Sequence, residues 1–130
     1  MKRVSISLSW LLLALTLCGL SSRYTIKVEQ QGALPTSFQF ERSGLSKGGV
    51  EVNTFLVVKR SSSGQWDYKK PAWEFGLSPG SAISLSHVTY GQVPAGFKEA
   101  KEAMPLERGA HYLAVGLAPG SGGSVEFVVQ

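Results

Sequence analysis

Apolar and polar residues alternate along most of this chain after its first twenty or so positions. Tyr24-Thr25-Ile26-Lys27-Val28-Glu29 places an apolar side chain at every second position, the pattern of a half-buried strand. Phe38-Gln39-Phe40-Glu41 repeats it after a turn region punctuated by Gly32, Pro35 and Ser37. The longest β-rich run is Val50 to Lys59. Val50, Val52, Thr54, Leu56 and Val58 share one parity, and Phe55 and Val57 lie on the other, so both faces are expected to be covered near its end. Arg60-Ser61-Ser62-Ser63-Gly64 reads as a turn and Gln65-Trp66-Asp67-Tyr68-Lys69 as the returning partner strand, ended by Lys70-Pro71. Trp73-Glu74-Phe75 and the run from Ala82 to Tyr90 add further short strands. The composition of 97–104, bracketed by Pro94 and Pro105, predicts one short helix, with irregular coil as the alternative. The chain closes on a hairpin: a strand through Leu113, Val115 and Leu117, the turn-forming Ala118-Pro119-Gly120-Ser121-Gly122-Gly123, and a last strand ending at Gln130. Seven or eight short strands at regular spacing predict an all-β sandwich or small barrel.

The beginning departs from this pattern. Lys2-Arg3 precedes an apolar run from Val4 to Leu17, centred on Trp10-Leu11-Leu12-Leu13-Ala14-Leu15, which is the pattern of a secretory signal. The run is short for a membrane span. Residues 1–21 are therefore read as a signal peptide or lipoprotein leader and 22–130 as one β domain. Leu15-Thr16-Leu17-Cys18 resembles the box at which bacterial lipoproteins are lipidated, but Leu17 stands where that box has a small residue. An ordinary signal peptidase would use Gly19 and Ser21 instead, leaving Cys18 as a small hydrophobe of the leader. Cys18 is the only cysteine, so the mature domain would hold neither thiol nor disulfide. The expected location is exported, in the periplasm or associated with the envelope, with membrane contact only through the leader or a lipid on Cys18.

The spacing of Leu106, Gly109 and Tyr112 resembles the tyrosine corner of fibronectin type III and related immunoglobulin-like domains. There a tyrosine hydroxyl bonds to backbone a few residues upstream. That corner, with the segment from Tyr90 to Phe97, is also similar to small bacterial exported proteins and lipoproteins with an immunoglobulin-like domain. The resemblance implies an immunoglobulin-like, fibronectin type III-like antiparallel sandwich and an envelope location, not an activity. It also poses a conflict. A corner tyrosine points into the core, and its parity continues here as Ala114 and Gly116, both small, whereas Leu113, Val115 and Leu117 are large. Either those three form an outward apolar stripe, a candidate partner surface, or they face inward and Tyr112 is no corner.

Charge and candidate chemistry narrow the function only slightly. The formal charge of +4 falls to +2 without Lys2 and Arg3, so nucleic acid is not expected as a partner. The Gly-rich 119–124 segment lacks the lysine and following helix of a phosphate-binding P-loop. His87 and His111 are the only histidines, too few for a usual metal site. Asp67 is the only aspartate, and a glutamate pair such as Glu74 and Glu126 would need to meet in space to do glycosidase chemistry. No catalytic residue, metal ligand or cofactor is assigned. Lys59, Arg60, Lys69 and Lys70 flank a turn with Trp66 and Tyr68 between them, a candidate patch for an anionic ligand such as lipopolysaccharide, teichoic acid or peptidoglycan. The alternative is a solvated hairpin tip. The expected function is a non-enzymatic envelope binding or accessory module for a protein or polymer. The alternatives are an inhibitor or immunity protein blocking an envelope-acting enzyme and, third, a hydrolase.

Overall fold

The computed structural model describes residues 22–32, 35–42 and 49–130, and over these the chain is all-β, with no helix among the described residues. Strand β1 (Ser22–Glu29) pairs antiparallel with β2 (Ser37–Arg42), setting Ile26 opposite Phe40 and Val28 opposite Phe38. The alternate residues of β1 from Arg23 on are exposed and those of β2 are half-buried or exposed, and Lys27 meets Glu41 there at 3.3 Å. The chain continues as β3 (Val50–Val52), β4 (Thr54–Lys59), β5 (Trp73–Gly76), β6 (Ile83–Leu85), β7 (His87–Thr89), β8 (Lys98–Lys101), β9 (His111–Ala118) and β10 (Ser121–Val128). Eight of these form one sheet in the order β7-β2-β1-β10-β9-β4-β5-β8, and β3 and β6 form a separate ladder. The described pairings are antiparallel except where Ser22 and Arg23 run parallel to Ser121 and Gly122 of β10.

The sheet curls onto itself. Strands β2 and β4 have three strands between them in the order, which in a flat sheet would separate them by four spacings, about 19 Å. Yet the Phe38 and Phe55 rings are 5.3 Å apart, and Phe40 and Phe55 are 5.8 Å apart. Phe38 also meets Phe127 of β10 at 5.5 Å. The enclosed core is aromatic: Phe38, Phe55, Trp73 and Phe75 are fully buried. Tilted and edge-on contacts such as Trp73–Phe75 at 5.1 Å suit the ring quadrupoles. Each such ring contributes roughly 1.5–3 kcal/mol by leaving water.

The corner is present. Tyr112 is 2% exposed, and the Glu107 N–H donates to its hydroxyl at 3.0 Å. Glu107-Arg108-Gly109-Ala110 makes the tight turn beneath it, with Gly109 at φ 81 and the Ala110 N–H donating to Glu107 O. The parity conflict resolves with Tyr112, Ala114 and Gly116 buried. Small residues are required there because β1 crosses above them. Gly116 and Gly123 are cross-strand partners, and the Tyr24 ring lies over both. A Cβ on Gly123 would come within 2.5 Å of Tyr24 O, and one on Gly116 would strike the Tyr24 hydroxyl. The final hairpin turns tightly on Pro119-Gly120, between paired Ala118 and Ser121. Gly120 is at φ 77, the chemistry of a type II turn.

Four sequence expectations are corrected. The helix expected over 97–104 is instead edge strand β8, paired with β5. Helical composition loses to tertiary contacts: Phe97 packs on Phe75 at 4.8 Å, and Glu99 accepts the Trp73 indole N–H at 3.0 Å. The segment 65–69 is no partner strand; β5 pairs with β4 instead, and 65–69 contributes one bridge, Arg60 to Trp66. The ladder stops because the Asp67 carboxylate accepts the Lys70 N–H at 3.2 Å and bends the chain. The run Val50 to Lys59 breaks at Asn53, which shifts the buried parity from Val50 and Val52 to Phe55 and Val57. The Asn53 amide donates to Ser78 O at 2.9 Å and Ser81 O at 2.8 Å, holding the break in place. The run from Ala82 to Tyr90 likewise divides at Ser86, whose carbonyl accepts the Phe40 N–H.

Candidate functional site

Because Phe55, Val57, Tyr112 and Ala114 face the core, the alternate residues of β4 and β9 face outward. The register pairs them: Leu56 lies opposite Val115 and Val58 opposite Leu113, with Leu117 opposite Thr54. The Leu113, Val115 and Leu117 stripe is therefore on the outer side, widened by Leu56 and Val58. Leu56, Val115 and Leu117 are half-buried; Val58 and Leu113 are buried, although neither belongs to the core cluster. The stripe continues into polar chemistry. The Arg60 N–H donates to His111 O at 2.9 Å, extending the same register by one pair. Arg60 and His111 thus stand at the end of the apolar row, and Trp66 shares their side through its bridge to Arg60.

This geometry links two groups of residues that look independent in the sequence, the apolar stripe and the basic turn. It also divides the basic group. Lys59, Arg60, Ser61, Ser62, Gly64, Ala110 and His111 line an open depression of about 510 Å³. Trp66, Lys69 and Lys70 do not line it; Lys69 and Lys70 are exposed on the bend held by Asp67. Lys59 points toward the corner, where its ammonium meets Glu107 at 2.8 Å. The hydrogen bond it donates to the Glu107 carboxylate raises the Lys59 pKa above its ordinary value. Arg60 donates through Nε to Gly64 O at 3.2 Å, bracing the turn, and its terminal nitrogens pair with no carboxylate among the described residues. Sequence reasoning did not join His111 to the basic turn because the two lie about fifty residues apart in the chain; only the β4–β9 register brings it beside Arg60.

The other candidates do not assemble. Glu74 lies beside Leu56 and Glu126 beside Leu113. Strands β5 and β10 are separated by β4 and β9, which puts the two carboxylates about 14 Å apart or more, beyond glycosidase separations of about 5–9.5 Å. His87 is on edge strand β7, remote in strand order from His111 on β9. No metal-binding group of three or more such side chains occurs among the described residues. Two Gly-x-Ser-x-Gly spellings, easily overlooked, occur at 44–48 and 76–80. A nucleophile elbow turns from strand into helix. Ser78 instead enters a turn whose Ser81 N–H donates to Ser78 O, and the chain resumes as β6. The 44–48 spelling and Cys18, with all of residues 1–21 read as a leader, lie outside the described residues. No helix among the described residues is long and apolar enough to cross a membrane.

The chain matches no protein-family model, no curated protein and no solved structure.

Proposed function

We propose that the chain is an exported, non-enzymatic binding module of the cell envelope, folded as an immunoglobulin-like, fibronectin type III-like sandwich. It recognises a protein or polymer partner through the outer face of β4 and β9. The sandwich reading is supported by strand order: β7-β2-β1 forms one layer and β10-β9-β4-β5 the other, joined only by the short parallel step at Ser22 and Arg23. The buried Tyr112 at the start of β9 supports it further.

One observation carries the functional reading. On the outer side of β4 and β9, half-buried Leu56, Val115 and Leu117, with buried Val58 and Leu113 between them and the charged end, lead along one register to exposed Arg60 and His111. Outer faces of sheets normally alternate to polar residues; partly exposed Leu56, Val115 and Leu117 there, with charge at the end of the row, have the composition of a recognition surface. Export rests on Lys2-Arg3 and the apolar run to Leu17. Fractionation of cells making the full chain tests it, with the mass of the mature N-terminus reporting any acyl group on Cys18; soluble full-length protein in the cytoplasm would contradict export. Affinity capture from the envelope, comparing the parent with a Val115→Ser, Leu117→Ser variant, tests the face. A captured enzyme whose activity is blocked would specify the inhibitor form of the same reading.

A further inference from the structure

We propose that the depression between the Ser61–Gly64 turn and the start of β9 binds a phosphate group, the charged unit of a phosphodiester-linked envelope polymer. This rests on the binding-module reading and gives that module its ligand class. Three features converge on the depression. Arg60 supplies a planar guanidinium whose Nε is fixed on Gly64 O at 3.2 Å, so its fork is pre-oriented while its terminal nitrogens remain available. Such a fork matches two oxygens of one phosphate. The turn adds neutral donors. The Gly64 N–H closes it on Ser61 O and the Ser61 N–H donates to Gln65 O, whereas the N–H of Ser62, which lines the depression, donates to no described residue. The Ser61 and Ser63 hydroxyls bond to each other at 2.8 Å, which leaves the Ser62 hydroxyl as the outward one lining the depression. Opposite them His111 lines the second wall.

Lys59 is held in reserve. Lys59 lines the depression, but its ammonium is engaged by Glu107 at 2.8 Å. Glu107 serves the corner through its backbone N–H, not its carboxylate. Glu107→Gln should therefore leave the corner standing and release Lys59 to the ligand. A shallow site of this kind takes a repeating polyanion better than a single ion, because neighbouring phosphates rebind.

The test is an amide-resolved NMR titration of the whole protein as recovered from expressing cells. The probes are inorganic phosphate and a soluble poly(glycerol phosphate), with sodium acetate at matched ionic strength as control. Expected are saturable shifts at Arg60, Ser62, Ser63 and His111 with both phosphate probes, tighter with the polymer, and none that saturate with acetate. Tighter binding of the free ion than of the polymer would identify a free-anion site and overturn the polymer assignment. Arg60→Gln should weaken polymer binding about tenfold or more, and Glu107→Gln should tighten it by roughly three- to tenfold. Because Arg60 also braces the turn, Glu107→Gln provides an independent reading: unchanged or weaker binding there would overturn the site. An adventitious response, alike for phosphate and acetate, would do the same. If Arg60→Gln still captures its envelope partner while Val115→Ser, Leu117→Ser does not, the phosphate site fails and the binding-module reading stands.

Discussion

Tyr24 and Tyr112 are both buried tyrosines, but their hydroxyls fare differently. That of Tyr112 accepts the Glu107 N–H, whereas that of Tyr24 is buried with no partner among the described residues. Losing the first should cost about 1 kcal/mol, so Tyr112→Phe is expected to lower the urea midpoint. Tyr24→Phe should be neutral or stabilising, since it removes an unsatisfied polar group. The pair also predicts a coupling. Gly116→Ala drives a methyl against the Tyr24 hydroxyl, so combining it with Tyr24→Phe should recover part of the loss, a non-additivity of about 1 kcal/mol in a double-mutant cycle. Gly123→Ala meets Tyr24 backbone and should not be rescued. Additive Gly116 and Tyr24 changes would disprove the slot. The corner was legible because its spacing is local. The glycine slot was not, because its reason lies on a strand about ninety residues earlier in the chain, at Tyr24.

At the scale of elements, single polar side chains decide where strands stop. Asn53 is the clearest: its amide ties the β3–β4 break to Ser78 O and Ser81 O, while its own N–H donates to Leu117 O. Asn53→Ala should cost roughly 0.5–1.5 kcal/mol by removing those hydrogen bonds, measured as a lower urea midpoint with unchanged slope. A stability equal to the parent would mean that the parity shift is held by packing alone. The same logic explains what the alternation pattern conveyed and what it lost. Strands β1 and β2 read correctly because one face is buried along each. Strand β9 left its parity open because Tyr112, Leu113 and Ala114 are all buried, and β10 begins at Ser121, inside the segment read as turn, because 121–123 pairs with β9 beneath Tyr24. The run from Val50 to Lys59 read as one strand because β-propensity cannot report an asparagine bonding to a turn twenty-five residues away. Segment 97–104 read as helix because its charged and alanine residues have helical propensity; Phe97, Glu99 and the bracketing prolines bind it instead to the edge of β5. Tyr90 was silent in the sequence, yet its hydroxyl donates to Met104 O at 2.7 Å and fastens the connection that follows β8.

For the whole molecule, the buried tyrosines set an alkaline limit. Burial raises the pKa of Tyr24, and burial followed by the neighbouring Tyr112 raises that of Tyr90 despite the hydrogen bond to Met104 O. Unfolded tyrosines ionise near about pH 10, so above that pH the unfolded chain gives up protons that the folded chain still holds. The stability from these protonated groups is fully present below about pH 10 and is lost as pH rises beyond it. Lys59, raised by Glu107, has the same sign. The urea midpoint should be flat from neutral pH to about 9 and fall above 10, less steeply in Tyr24→Phe; an equal slope in both would show that Tyr24 ionises alike in the two states.

The proposed recognition face exists only at this scale. Its aliphatic row was visible in the sequence as a parity conflict, and its charged end was visible as a basic turn. Their continuity depends on the β4–β9 register and was not legible. The most direct measurement joins stability to binding in the Val115→Ser, Leu117→Ser variant. Both side chains are half-buried on the outer side, outside the core cluster. The expected result is a cooperative thermal melt like that of the parent together with loss of the captured envelope partner. A variant that unfolds, or one that folds and captures the partner as well as the parent does, would contradict the assignment of this face.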